Sequence, residues 1–369
     1  SGGNDYHGSI SAFHTDNVLQ SRGLFQNTRN PNTGRIIPVF RRNEYIGGFG
    51  GPLQKNRTFF YGSADILRQV SAANDNSVVE TPEFTNFVSQ RFPNNKSAFL
   101  LKSFPAAFVP YTNFRTAGTI LGINCAALAS PSTTVNSPIG QIPCDLPVTG
   151  EGVTPITAPR EGTQWSVRVD HQLREKDRLY VSVFRNIEET LDGSTIRPQF
   201  RVPFPIKNWY TNINETHTFS SNVLNEIRLT FVRVDGDIRC AQCNIPDTIS
   251  ITGGMANFGK GGPVPFIQNN YHVNDVLSWI KGSHSVKAGF TFSKLQSNWK
   301  PTASYQRPIY NFLNVWEFVN DDPFSQANIG LNPRDGSVIT PDVAERQNTI
   351  SVFVDDNWKI LSNLSVQFG

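Results

Sequence analysis

The sequence predicts an all-β chain, part of a transmembrane antiparallel β-barrel built from hairpins, and three observations predict it. Apolar residues recur with period two rather than at helical spacing. The alternating segments come in pairs joined by very short turns, and the stretches between pairs are long. Charged residues make up only 17% of the 369, while 24 Pro, 28 Gly and 27 Phe supply turns and aromatic strands rather than helices.

Taken in order, the elements begin with a single strand, Tyr6 to His14. The first hairpin runs from Asn43 through Ile46-Gly47-Gly48-Phe49-Gly50-Gly51, turns at Leu53 to Arg57, and leaves along Thr58 to Ser63. The second is Gln164 to Leu173, a turn at Arg174-Glu175-Lys176, and Asp177 to Ile187. Trp165, Val167 and Val169 then share a face with Leu179, Val181 and Val183, leaving Ser166, Arg168, Asp170, Tyr180 and Ser182 on the other. The third is Asn208 to Phe219, a turn near Ser220 to Asn222, and Val223 to Val234. In the fourth, His272 to Lys281 and His284 to Leu295, a Gly282-Ser283 turn suited to type II′ aligns Val273, Leu277 and Trp279 with Val286, Ala288, Phe290 and Phe292. Asp275 interrupts that apolar face. In the fifth, Asn348 to Trp358 and Leu364 to the end, Ile350, Val352 and Val354 match Leu364, Val366 and Phe368.

The long loops fall at about 15–42, 68–163, 188–207, 235–271 and 296–347, and they alternate with short turns throughout. A membrane barrel produces that parity, with short periplasmic turns on one side and long extracellular loops on the other. Compact soluble domains rarely hold several structureless loops of this length. Short helices are expected within the loops at Pro82 to Arg91 and Val315 to Asn320. Eleven strands is an odd number and Leu364 to Gly369 reads as a strand cut in the middle, so the chain is expected to be part of a larger barrel with two unpaired edges.

Other classes fit less well. No run of eighteen apolar residues exists, which excludes a transmembrane helix and leaves a barrel open. A net charge of +3 with interspersed signs argues against a nucleic-acid partner. The acid pairs Glu188-Glu189, Asp321-Asp322 and Asp355-Asp356 are adjacent, so on a strand their members point to opposite faces and make poor acid/base couples. HExxH, G-x-S-x-G and a P-loop are all missing. The chain is therefore not read as an enzyme, and neither catalytic residues, a cofactor nor a metal-ligand set is assigned. Ca²⁺ held by oxygen near Asn320 to Asp322 or Asp355 to Asn357 stays open, without EF-hand spacing. All four cysteines lie in long loops, where an even count in an exported protein favours disulfides. Pairing Cys125 with Cys144 would contribute about 3 kcal/mol by loop closure. Cys240 and Cys243 read as a local disulfide or free thiols, with half of a zinc site as the other alternative.

Five blocks in order resemble TonB-dependent receptors of the Oar-like type, common in Acidobacteria and often preceded by a carboxypeptidase-regulatory-like domain. They are Gly2 to Ser9 with Phe13 and Asp16; Arg41-Arg42-Asn43 through Gly50-Gly51-Pro52 to Lys55-Asn56-Arg57-Thr58-Phe59-Phe60; Arg168 to His171 with Lys176 to Leu179; Trp279 to Gly289; and Val354 to Lys359. Asn357 stands where the family more often has a second Asp. The resemblance implies a barrel of about 22 strands with a plug in its lumen. Residues 1–5 would end the plug and 6–369 would form the N-terminal half of the barrel. It also implies a bacterial outer-membrane receptor whose extracellular loops and lumen bind an unidentified solute for TonB-energised uptake. Its partners would be the outer-membrane bilayer and, through a more N-terminal region, the TonB complex. Arg168, Asp170, Glu226, Arg228 and Lys287 are the expected lumen-facing ligand residues. The alternatives are a structural or adhesive surface protein on the same barrel, and a secreted β-rich carbohydrate-active enzyme.

Overall fold

The computed structural model describes residues 3–21, 24, 39–192, 196–300, 307–327, 330–339 and 342–369. Parts of the loops expected at 15–42, 188–207 and 296–347, and the first two residues of the expected plug junction, lie outside them. In chain order the strands are β1 (His7–Asp16), β2 (Phe40–Gln54), β3 (Thr58–Glu80), β4 (Thr112–Thr116), β5 (Thr134–Ser137) and β6 (Gly140–Pro143). Then come β7 (Pro147–Arg174), β8 (Asp177–Asp192), β9 (Val202–Ser220), β10 (Val223–Ile238), β11 (Thr248–Ile251) and β12 (Met255–Phe258). The last are β13 (Val264–Lys281), β14 (His284–Trp299), β15 (Ile309–Phe312), β16 (Ser325–Ala327), β17 (Val343–Leu361) and β18 (Leu364–Phe368). Four short helices are described, α1 (Pro82–Arg91), α2 (Lys96–Ser103), α3 (Ala117–Leu121) and α4 (Val315–Val319).

One antiparallel sheet runs β1-β2-β3-β7-β8-β9-β10-β13-β14-β17-β18, with β4 added beside β7. It is the wall of a partial barrel. The short turns set its registers: Val169 lies opposite Val181, Trp279 opposite Val286 and Leu277 opposite Ala288, as the alternation requires. Gly282 has φ +59° and Ser283 keeps φ negative, the pattern of a type II′ turn.

The ladder aligns side chains in rows across strands. One row reads Phe60, Val169, Val181, Ile213, Leu229, Val273, Phe292, Ile350, apolar on eight successive strands. The row beside it, on the opposite face, reads Phe59, Asp170, Tyr180, Asn214, Arg228, Asn274, Thr291, Ser351. The apolar face lies open: Ile350 is 67% and Val352 75% exposed. An apolar area of that extent left bare marks a wall whose medium is hydrocarbon, and the polar face is the lumen side. Aromatic side chains edge the apolar band at both ends. Trp165 and Trp209 meet edge to face at 5.9 Å toward the long loops, and His284 stacks on Trp358 at 5.3 Å near the short turns. Asp275, the interruption in the apolar face, takes a 2.5 Å hydrogen bond from the Asn225 amide.

The strands are longer than the alternation predicts, which shortens every expected loop. β3 has 23 residues and β7 has 28, where about 9–11 cross a bilayer. Beyond Ile66 the outward positions are no longer consistently apolar, with Arg68 against Glu161, and β7 carries Pro155 and Pro159. Loss of alternation and proline within a strand are both loop signals in a sequence. There the paired strands stand out of the membrane as a ribbon.

Among the described residues, the long loops after β3, β10 and β14 also carry folded structure. Thr81 caps α1 by accepting from Phe84 N–H at 3.1 Å, Pro82 takes the first turn, and Phe84 and Val88 face inward one turn apart. Asn314 caps α4 by accepting from the Trp316 and Glu317 N–H groups, and Glu317 accepts from Leu313 N–H in return. Strands β12-β11-β15-β16 form a second sheet woven from two loops. Phe84, Leu101, Ile142, Phe258, Trp316 and Phe318 meet in one buried cluster. The principal hydrophobic core of the described residues thus lies in an extracellular cap, outside the membrane.

Candidate binding surfaces on the inner wall and in the cap

On the lumen face, β7, β8, β9 and β10 bring polar side chains together along a groove of about 690 Å³. Arg168 donates twice to Asp170, at 2.8 and 2.6 Å, and its guanidinium lies 3.8 Å from the centre of the Tyr180 ring. The two residues sit two apart on β7, so strand geometry places both on one face. Asn214 donates to Glu226 at 3.0 Å and Arg228 donates to the same carboxylate at 2.5 Å. Hydrogen bonds continue along this face from Ser63 to Ser166 and from Asn274 to Thr291.

Of the five expected lumen residues, Arg168, Asp170 and Glu226 line the same groove and Arg228 is tied to it through Glu226. Lys287 is on the same face but on β14, opposite Ser278 and Asp355, away from the groove. Tyr180 and Asn214, which complete the arrangement, were recognisable only as polar-face positions. The groove pairs cations with anions, so it suits a polar solute or segment that exchanges into those hydrogen bonds.

A second concavity lies in the cap. It has a volume of about 630 Å³ and is walled by Phe99, Ile249, Tyr310, Phe312 and Phe318, with Lys96 and Asp321 among the residues at its margin. Three separate loops supply these residues, so no local pattern announces the site. Asp321 is occupied structurally, accepting from the Lys96 and Ser97 N–H groups at the start of α2. Asp355 accepts from Gln367, while Asp356, on the other face, pairs with His284.

Two buried arginines hold the cap together. Arg197, fully buried, donates to both carboxylate oxygens of Glu80 at 2.8 and 2.6 Å and to the carbonyls of Phe104, Ala256 and Asn257. Its guanidinium stacks 3.6 Å from the Phe258 ring centre. Arg307 donates to the carbonyls of Ile245, Gly262 and Pro246 and lies 3.6 Å from Asp247. Burial pushes the Asp247 carboxyl above the usual carboxylate range, the Arg307 charge opposing it in part, and burial likewise lowers Arg307. Cys125 is joined to Cys144, Cα to Cα 5.7 Å, within the cap core, and Cys240 is joined to Cys243 in the loop after β10.

No curated protein sequence matches this chain. Among solved structures, it is similar to the outer membrane transporter YddB from Escherichia coli, with 12% identity and a TM-score of 0.51, covering 100% of this chain and 38% of that one. It is similar to a mutant of the ferric enterobactin receptor PfeA from Pseudomonas aeruginosa, with 8% identity and a TM-score of 0.51, covering 99% and 39%. A second PfeA mutant, in complex with enterobactin, matches at 8% identity and a TM-score of 0.50, again over 99% and 39%. The chain therefore spans about two-fifths of the length of these structures, and at such identities the likeness is one of fold. A family model described as an outer membrane beta barrel domain matches residues 1–369, so this chain belongs to that family of outer-membrane β-barrels.

Proposed function

We propose that this chain forms the wall and extracellular cap of an outer-membrane receptor that captures a solute through its loops and lumen for TonB-energised uptake. The observation that carries this reading is a folded, pocketed cap above a wall whose inner face is a hydrogen-bonded polar groove. A wall serving only as an anchor needs neither feature. The similar solved structures, an outer membrane transporter and a ferric enterobactin receptor, agree with it. The resemblance to Oar-like receptors extends the reading: residues 1–5 as the end of a plug, residues 6–369 as the leading half of the barrel, and Arg168, Asp170, Glu226, Arg228 and Lys287 as lumen contacts for the solute.

The test uses the full-length protein in its own membrane. Native mass spectrometry after mild extraction is expected to find a solute retained by the wild type and lost from Tyr310→Ala and Arg168→Met. Cells with a disrupted TonB complex are expected to bind that solute and fail to accumulate it. Accumulation that continues without TonB would remove energised uptake from the reading, and absence of any retained solute would favour a structural or adhesive surface protein.

A further inference from the structure

On the outward face of the wall, near the short-turn end, the ladder makes a polar cluster that neither solute binding nor the lumen uses. Asp177 on β8 and His217 on β9 are register partners, and Glu215 follows two residues before His217 on the same face. One ligand atom from each lies within 4.8 Å of the others. His217 Nδ1 is hydrogen-bonded to the Asp177 carboxylate, and their side chains are only 31% and 17% exposed. Glu215 sits between Leu179 on β8 and Ile227 on β10, one same-face step from the all-apolar row. Among the described residues its carboxylate makes no hydrogen bond or ion pair. The nearest lysine in the adjoining turn, Lys176, donates to the Phe219 carbonyl instead.

This is an unusual set for a hydrocarbon-facing wall. Charged side chains there are disfavoured in proportion to depth. Two carboxylates and one imidazole carry a net negative charge with no basic side chain in the group to offset it. We propose that Asp177, Glu215 and His217 bind one divalent transition-metal ion of the zinc type. Imidazole nitrogen with carboxylate oxygen is a zinc donor set, whereas calcium takes oxygen alone. Tetrahedral zinc needs ligand atoms about 3.3 Å apart, and the three candidate atoms already lie within 4.8 Å of one another. The ion takes the place of the proton between His217 Nδ1 and Asp177, that proton moving to His217 Nε2 in a neutral ring or to solvent from an imidazolium, and brings Glu215 in as the third ligand. Three protein ligands leave a fourth position for water, and the ion cross-links β8 to β9.

The proposal is independent of what the receptor carries and is tested by metal binding alone. Full-length protein without a polyhistidine tag, stripped with chelator in detergent, is titrated with Co²⁺ as a spectroscopic probe and then with Zn²⁺ in competition. The wild type is expected to show a visible Co²⁺ band removed by one equivalent of Zn²⁺. Glu215→Gln is expected to weaken Zn²⁺ at least tenfold and His217→Gln to abolish the band, while Glu189→Gln, outward at the far end of β8, leaves both unchanged. Heat-modifiable gel mobility reports folding; among the described residues the Glu215 carboxylate makes no hydrogen bond or ion pair that Gln would remove, so that variant decides the matter even where His217→Gln fails to fold. A wild type without a Zn²⁺-displaceable band, or equal binding by wild type and Glu215→Gln, overturns the proposal.

Discussion

The membrane wall and the extracellular cap solve opposite problems with one chain. In the wall, apolar side chains point away from the protein, and polar groups such as Arg168, Asp170 and Asn214 pair on the inside. In the cap, Phe84, Leu101 and Phe318 turn inward to a buried core, and Arg197 and Arg307 bind buried carboxylates and carbonyls beside it. The solvent sets the difference. Hydrocarbon takes the apolar face of a sheet without requiring a partner, so a single layer suffices there, whereas water requires a second layer to cover it. Burial therefore does not locate the structural heart of this wall: most of its apolar side chains are exposed, and the fully buried ones belong to the cap.

The largest effect expected to break the comparison is in the cap. Arg197→Met leaves the Glu80 carboxylate buried without its counter-ion and should cost about 3–5 kcal/mol of cap stability. Hydrogen exchange should show protection lost at α1, α2 and β12 while the wall strands keep theirs; loss in both at once would make cap and wall one cooperative unit. Next, Val352→Arg on the outward face of β17 should cost about 2–4 kcal/mol of folding into vesicles. Thr291→Arg, on the lumen face beside it, should cost much less. Equal costs would show that the face assignment is wrong.

A smaller effect follows from Asp247. Its carboxyl is raised in the folded cap, so its favourable contribution is fully present below the ordinary carboxylate value and is lost as pH rises through the raised one. Cap protection in Asp247→Asn should thus fall less than in wild type as pH climbs from about 4 to 7. The smallest expected effect is Arg168→Met. Its partly exposed pair with Asp170 is worth about 0–1 kcal/mol, so wall stability should barely change while solute retention falls.

What the sequence determined by itself is the wall: the strands, their turns, their registers and the face each side chain occupies. Period-two alternation against lipid repeats every second residue, and a two- or three-residue turn transmits the register to the next strand, so the information is local. Even α1 and α4 were legible, because caps and apolar spacing are local too. Only the tertiary structure decided the cap and its pocket, the polar extensions of β3 and β7, and the meeting of Asp177 with Glu215 and His217. Arg197 and Glu80 lie 117 residues apart, and the core contacts of Phe84, Ile245 and Phe318 join three loops. Contacts of that range leave no periodic trace in the intervening chain, and a carboxylate on a lipid-facing strand reads as a blemish until the neighbouring strand places an imidazole beside it.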